Sequence, residues 1–459
     1  MYRFRTIENL LGKYQELENQ EIYFAKPEEL NDPMEGYKDI FWQGDPIVWK
    51  NFIINYVRSV EHFCTLLNLL TPESRINEKD ILVSFEAPIF HTPENKMLTN
   101  EILEIIFQNK FINNLPKLLS ARTTPVRRNE ILFYLQLIHN VIVKAISDLY
   151  IKKKIRDSPI FNQDIDLPDL LTNLAYLTNQ LENENSHIKN ITDNLFSIMS
   201  RMTEKLILSM KSELSDMTVT SSYLFLIDDF PEKYMTKLET LLYQDWYSAS
   251  FLKDNSNSSL WGHYGENHKG VCLKFKTTQE GEKYQIKLKK FTEPSSLTHS
   301  FHRIEYSSKH VEIDFFRSFG RLPKYQLMYE WYKDEKGNLS NCGDHLENNI
   351  DEWRKKYQEN FLKAVTVKLK DWKYEKEYRL IINDILIEYR DKDERKLKYD
   401  FDDLEAIIFG IKTSTSDKIR ILKIIKNKCE QNNRKKFDFY QAYYSKDTWK
   451  IATYKLDLL

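Results

Sequence analysis

Glycine is scarce and unevenly spread. The chain has 11 glycines in 459 residues, and none lies between Gly44 and Gly262. Long helices tolerate glycine poorly, whereas sheets and tight turns recruit it, so this interval predicts an all-α block over residues 45–243. Cysteine is scarce as well. Cys64, Cys272, Cys342 and Cys429 stand far apart without a C-x-x-C spacing, which argues against a disulfide framework or a zinc knuckle and points to a reducing compartment. An excess of either charge is missing: 67 basic residues face 68 acidic ones, for a net charge of -1. No global field therefore draws nucleic acid or an anionic membrane, and only local patches remain available. No uninterrupted apolar run is long enough to span a bilayer, and the opening MYRFRTIENLLGKY lacks the apolar core of a signal peptide. These absences predict a cytoplasmic globular protein without a membrane partner. Its 41% hydrophobic and 13% aromatic residues can build the packed cores of two or three domains.

What is present starts with the run Trp261 to Phe275, WGHYGENHKGVCLKF, in which two histidines, a tryptophan, a tyrosine and three glycines crowd together. Val271, Leu273 and Phe275 alternate with Cys272 and Lys274, the period-2 pattern of a half-buried strand, with Gly265 and Gly270 bounding a polar turn. Tyr247 to Phe251 reads as a neighbouring strand. At the start of the chain, Tyr2 to Arg5 forms a short strand, Thr6 caps a helix of about three turns that ends near Asn19, and Glu21 to Ala25 forms the next strand. Lys26 to Glu35 follows, a turn fixed by two prolines that holds Asp32 and Glu35 close together.

Inside the glycine-free interval, Ile102, Ile105, Ile106, Ile112 and Leu115 approximate helical spacing, as do Leu195, Ile198, Met199, Met202, Leu206, Met210 and Leu214. Pro168 marks the first turn of another helix, and Asp80 to Pro88 is a strand or an extended connector. Beyond the central strand, the pattern predicts a strand at Lys283 to Lys289 and helices at Phe315 to Tyr332, Asp351 to Leu362 and Thr415 to Lys428. Further strands are expected at Leu404 to Phe409, near Phe437 to Tyr444 and near Trp449 to Tyr454.

Lys370 to Ile382 reads as one strand on which Glu375, Glu377 and Arg379 share a face. Two carboxylates side by side repel and raise one another's pKa unless a cation neutralises them, and Arg379 is placed to do so. This pattern suits a catalytic carboxylate pair or a Glu-Arg surface ladder. Trp261, Tyr264 and Phe275 are likewise read either as site or as core aromatics.

Six stretches occur in this order: MYRFRTIENLL, IYFAKPEELNDPMEG, YSASF, SLWGHYGENHKGVCLKF, KDWKYEKEYRLI and LEAIIFGIKTS. Together they resemble a large bacterial family catalogued as domain of unknown function number 2971, over about Met1 to Trp42 and Trp246 to Leu459. The order of motifs also resembles that of the ADP-ribosyltransferases, which bind NAD on a split sheet. That resemblance implies an α+β fold: a mixed, mostly antiparallel split sheet from residues 1–44 and 244–459, interrupted by the α-helical insertion 45–243. It implies Glu377 and Glu375 as catalytic residues, in the Glu-x-Glu variant of the motif. NAD, as substrate, would be held by Arg3, Arg5, Asn31, Asp32, Ser250, Trp261, His263 and Tyr264. The implied activity is that of a toxin or defence-type effector acting on a macromolecular acceptor, protein or nucleic acid, with a partner protein on the helical insertion. Two other classes remain open: a hydrolase or nuclease using Asp32, Glu35, His263 and His268 around a metal, for which no recognisable ligand spacing exists, and a non-catalytic binding or sensing protein.

Overall fold

A computed structural model describes the chain except for residues 33, 70–75, 85–91, 161–193, 195, 202–204, 206–220, 282, 292, 294, 384–388 and 390. The chain is mixed α/β and forms two compact units, each drawn from separate segments: Met1–Lys38, Asp245–Val311 and Leu362–Leu459 in the first, Asp39–Gln244 and Glu312–Phe361 in the second.

The first unit is built on an eight-stranded open sheet. Its strands are β1 (Tyr2–Arg5), β2 (Trp246–Leu252), β3 (Val271–Phe275), β4 (His302–Arg303), β5 (Glu377–Asn383), β6 (Leu404–Phe409), β7 (Asp438–Ser445) and β8 (Lys450–Leu456). Their order in space is β4-β5-β2-β1-β3-β6-β7-β8. All neighbours are antiparallel except β6 and β7. β5 and β2 pair along their whole length, from Glu377↔Leu252 to Asn383↔Trp246. β1 and β2, by contrast, meet only at Tyr2↔Leu252, while β1 keeps four pairs with β3. The sheet therefore opens between β1 and β2. In that opening Ala25 bonds Ser248 in both directions, at 2.8 and 2.9 Å, and brings the preceding strand Glu21–Tyr23 alongside.

Glu21–Tyr23 belongs to a second sheet with Lys396–Tyr399, Lys283–Lys289 and Thr278–Glu280, flanked by Ser296–Ser300. A shared core draws on both sheets: Phe251, Val271, Leu273, Phe275, Leu380 and Ile407 from the first, and Ile22, Leu288 and Leu397 from the second. Fully burying side chains of this size stabilises the fold by about 1.5–3 kcal/mol each. The period-2 reading of β3 holds, since Val271, Leu273 and Phe275 face this core while Cys272 turns to a smaller cluster with Phe4, Leu260, Trp261 and Ile408.

Two local expectations need correction. Thr6 does cap a helix, its hydroxyl accepting the Asn9 N–H at 3.2 Å. That helix is only Ile7–Leu11, and the chain restarts as Glu16–Asn19 after the left-handed Gln15 (φ 48°). Ahead of the central strand, Trp261 lies on the helix Ser258–His263. Glu266, Asn267 and His268 then take positive φ in succession, so the strand cannot begin before Val271. Finally, Lys370–Glu375 is a 3₁₀ turn closed by the left-handed Lys376 (φ 48°), and the expected strand starts only at Glu377.

The second unit is mainly helical, with Pro46–Leu69, Pro93–Phe107, Lys110–Ser120, Arg128–Lys152 and Phe230–Leu238. It also holds a small sheet in which Asp39–Trp42 pairs with Glu312–Asp314 in parallel and with Val126–Arg127 antiparallel. Val126–Arg127 thus interrupts the interval expected to be all helical. Ile102, Ile106, Ile112 and Leu115 are buried as their spacing predicts, whereas Ile105 is exposed. Phe315 to Tyr332, expected to be one helix, contains the short helical turns Phe315–Arg317, Lys324–Leu327 and Met328–Tyr332. The helices expected at Asp351 to Leu362 and Thr415 to Lys428 are Ile350–Thr366 and Thr415–Gln431. The Pro168 helix start, most of the stripe Leu195 to Leu214 and the end of Asp80 to Pro88 lie outside the described residues. Among the described helices, Arg128–Lys152 is long and apolar enough to cross a membrane, and 67% of its apolar window is buried inside the protein.

Candidate functional site

In the first unit, a cavity of about 740 Å³ lies at the opening between β1 and β2. β1 contributes Arg3, Phe4 and Arg5, β2 contributes Ser248, Ala249, Ser250 and Leu252, and β5 contributes Glu377 and Arg379. Loops add Ala25, Leu30, Asn31, Glu35, His263, Tyr264, Lys368 and Glu375. Arg3 reaches the cavity from the apolar-core side, its guanidinium 5.3 Å from the centre of the Phe251 ring. Ser250 and Arg379 face each other across the β2/β5 register, and Glu377 lies two residues along β5 from Arg379, on the same side by strand alternation. Both sets line one cavity because β1 leaves β2 after a single pair.

The floor is a buried ionic cluster of three carboxylates and two cations. Arg379 grips Glu35 with both terminal nitrogens, at 2.5 and 2.8 Å, and donates to Glu377 through Nε at 2.7 Å and Nη2 at 3.1 Å. Lys368 Nζ donates to Glu375 Oε2 at 2.9 Å and to Glu377 Oε2 at 3.4 Å. The Ser250 hydroxyl donates to Glu377 Oε1 at 2.6 Å, and the Glu377 N–H donates to the Tyr306 hydroxyl at 2.8 Å. The Tyr264 hydroxyl donates to Glu375. Glu377 and Arg379 are 2% and 1% exposed, so this cluster is shielded from screening by water.

The two glutamates are driven apart electrostatically. Burial alone pushes the Glu377 carboxyl up, but the charge and hydrogen bonds of Arg379, with Lys368 and Ser250, pull harder the other way and hold it at about 2. Glu375 moves upward from the usual carboxylate range, chiefly through burial and with the Glu377 charge adding to it, against the pull of Lys368 and Tyr264. The result is a carboxylate ionised at any physiological pH beside one that protonates more readily, the pattern by which paired acids take different roles. Burial, then the Glu375 charge, pushes the Tyr264 phenol up, so Tyr264 remains a proton donor.

Two polar atoms in the lining have no partner. Arg3 donates through Nη2 to the Tyr23 carbonyl at 3.1 Å, while its buried Nη1 is unsatisfied, as is the Ser248 hydroxyl. Burial and the neighbouring Arg5 push the Arg3 guanidinium down to about 9. An unsatisfied buried donor costs roughly 1–3 kcal/mol, so these two atoms mark where a polar or anionic ligand would be held.

Of the residues singled out by sequence, Arg3, Arg5, Asn31, Ser250, His263, Tyr264, Glu375 and Glu377 all line the cavity. Arg5 is paired with Glu16, and Asn31 bonds Tyr264. Trp261 does not line it. It is fully buried, edge-on to Phe4 at 4.8 Å, with Nε1 bonded to the Asn255 carbonyl at 2.8 Å. Asp32 is also buried, and holds the turn by accepting the Met34 N–H at 2.9 Å. Sequence reasoning missed Ser248, Lys368 and the role of Glu35. The S-x-S spacing in YSASF signalled Ser248, since alternate residues of a strand share a face. Nothing local signalled Lys368 or the Glu35–Arg379 grip, which spans 344 positions. Among the described residues, no group of three or more His, Cys, Asp or Glu has the geometry to hold a metal ion.

Residues 260–380 match the model of a family described as protein of unknown function (DUF2971). Neither the curated proteins nor the solved structures include a match to the chain.

Proposed function

We propose that the first unit binds NAD in this cavity, cleaves the bond between nicotinamide and ribose, and transfers ADP-ribose to a macromolecular acceptor. One observation carries the reading: Arg3, Ser250 and Glu377 sit on the consecutive strands β1, β2 and β5 and line one cavity, in which Ser250 and Glu377 are hydrogen-bonded to each other. The motif resemblance to ADP-ribosyltransferases calls for a basic residue on the first strand, a serine or aromatic on a middle strand, read as Ser250 or Tyr264, and a glutamate on a late strand. The cavity volume falls within the roughly 300–1,000 Å³ of small-molecule sites.

In this reading the free Arg3 nitrogen and the Ser248 hydroxyl bind the pyrophosphate or ribose hydroxyls. Ser250 aims the Glu377 carboxylate, which bonds to the ribose and stabilises positive charge as nicotinamide leaves with the bonding electron pair. Glu375, with its raised pKa, accepts the proton of the attacking acceptor. The competing reading is a charged scaffold without chemistry, favoured by the grip of Arg379 on Glu377. Two measurements on the purified full chain separate them: thermal stability with NAD, and release of nicotinamide. A ligand that binds only the folded state raises its stability, by about 2.7 kcal/mol at a hundredfold excess over Kd. Stabilisation with nicotinamide release is the expected outcome, and the absence of both sinks the transferase reading.

A further inference from the structure

The turn that delivers Glu375 to the cavity carries, on its outer side, lysines interleaved with aromatic rings. Lys370, Lys373 and Lys376 are exposed alongside one carboxylate, Asp371, and between the first and last of them Trp372 and Tyr374 are half-buried, with Lys368 Nζ 4.5 Å from the centre of the Trp372 ring on one face. The Trp372 and Tyr374 rings lie 6.3 Å apart with a tilt of 31°, and His263, itself a cavity residue, lies 6.4 Å from Tyr374. Left-handed Lys376 turns the chain so that Glu375 is buried while Lys376 stays in solvent. The strip continues past the turn. Because Glu377 pairs with Leu252, Lys376 and Lys253 emerge at neighbouring strand ends. Lys253 stands 4.6 Å over Tyr284, Tyr284 lies 6.0 Å from Tyr378, and Tyr378 pairs with Arg303.

We infer that this strip binds a single-stranded nucleic acid and presents it as the acceptor, an assignment that rests on the transferase reading of the adjoining cavity. Lysines alone would suit any anion. Partly open ring faces spaced between lysines suit unstacked bases on a phosphate backbone, because each ring stacks a base and each cation meets a phosphate. An acidic peptide would use the lysines and leave the rings idle, and a duplex would keep its base faces covered. The net charge of -1 makes this attraction local rather than a property of the whole chain. In the transfer, the bond from the ribose anomeric carbon to the nicotinamide nitrogen breaks, and its electron pair leaves on nicotinamide. A lone pair on a base nitrogen or oxygen forms the new bond to that carbon, and the proton on the attacking atom passes to the Glu375 carboxylate.

The test is fluorescence anisotropy of labelled single-stranded DNA and RNA oligonucleotides with the full chain, at several salt concentrations, with a duplex and a poly-glutamate peptide as competitors. The expected result is binding of at least one single strand that Tyr374→Ala weakens about tenfold or more, in keeping with the loss of one stacked base. Reversing two lysines, Lys370→Glu with Lys373→Glu, should lower the salt slope by about 1.4, the share of two phosphate contacts on a single strand. Circular dichroism of each variant confirms folding. The inference is overturned if neither single strand binds, if Tyr374→Ala in folded protein binds like wild type, or if duplex or poly-glutamate displaces the oligonucleotide as well as an unlabelled strand does. Nicotinamide release measured without any oligonucleotide reports on the transferase reading alone, so the two can fail separately.

Discussion

Glu377 is held by Arg379, Lys368 and Ser250 at once, which makes its charge available at any physiological pH and makes its replacement a structural event too. Glu377→Gln keeps the size of the side chain but leaves Arg379 with Glu35 as its remaining carboxylate partner. The expected outcome is a fall in nicotinamide release of ~10²-fold or more, together with a stability loss on the order of 1–3 kcal/mol, as for a buried group left short of a partner. Thermal melts beside the rate assay check both, and near-wild-type release would remove Glu377 from the chemistry. Glu375→Gln should behave differently, suppressing transfer to an acceptor while sparing slow hydrolysis of NAD. The pH dependence follows from the two shifts. Raised above the usual range, Glu375 gains its base form as pH rises, so transfer should climb with pH, whereas Glu377 at about 2 stays ionised and hydrolysis should stay flat. A ratio of transfer to hydrolysis that does not change with pH would contradict the assignment of roles.

Among the elements, the segment between the helix Ser258–His263 and β3 is tightly constrained. A Cβ on Gly270 would stand 2.4 Å from the Arg5 carbonyl and 3.1 Å from the Gly265 carbonyl. Both are backbone atoms, so no side chain can swing aside to make room. Gly270→Ala must push β1 from β3, and the expected cost is about 1–3 kcal/mol, the range seen for overpacking. Because β1 carries Arg3, stabilisation by NAD should weaken as well. A variant that melts like wild type would show that β1 gives way freely. Alternation along the sequence rightly suggested that Glu375 and Glu377 converge, but for the wrong reason, since Glu375 is not on the strand. The left-handed φ of Lys376 aims it inward, and a lysine carries no local signal for that conformation in the way a glycine would.

Across the molecule, buried titratable groups tie stability to pH through two different units. In the second, His139 lies between the Tyr56 hydroxyl at 2.8 Å and the Leu226 carbonyl at 2.6 Å, and burial pushes it down to about 4. Its ordinary value is near 6.5, so its contribution is full above about 6.5 and is lost as pH falls through about 4. Glu61 has the opposite sign: burial raises it to about 7 despite the Thr99 hydrogen bond, so its stabilising contribution is present in acid and lost as pH rises toward 7. Glu377, in the first unit, contributes above the usual carboxylate range of about 4.3 and loses that contribution only as pH falls through about 2. His139→Gln should therefore flatten the fall of melting temperature between about pH 6.5 and 4, and an unchanged profile there would show that His139 is not what acid titrates.

The amino-acid sequence by itself determined the strands and helices whose burial follows a period, such as Val271 to Phe275 with its alternate residues in the core. It also determined which strands carry Arg3, Ser250 and Glu377, because each lies in or beside a short patterned run. Tertiary structure alone decided that these three strands are neighbours and that β1 parts from β2 after one pair, which is what opens the cavity. It alone decided that Glu35 would grip Arg379 from 344 positions away, that Trp261 would be core rather than lining, and that Glu312–Asp314 would pair with Asp39–Trp42. The physical reason is range. Periodicity and capping act over a few residues and are written locally, whereas strand pairing, burial of charge and the shape of a cavity depend on which distant segments the shared core brings together.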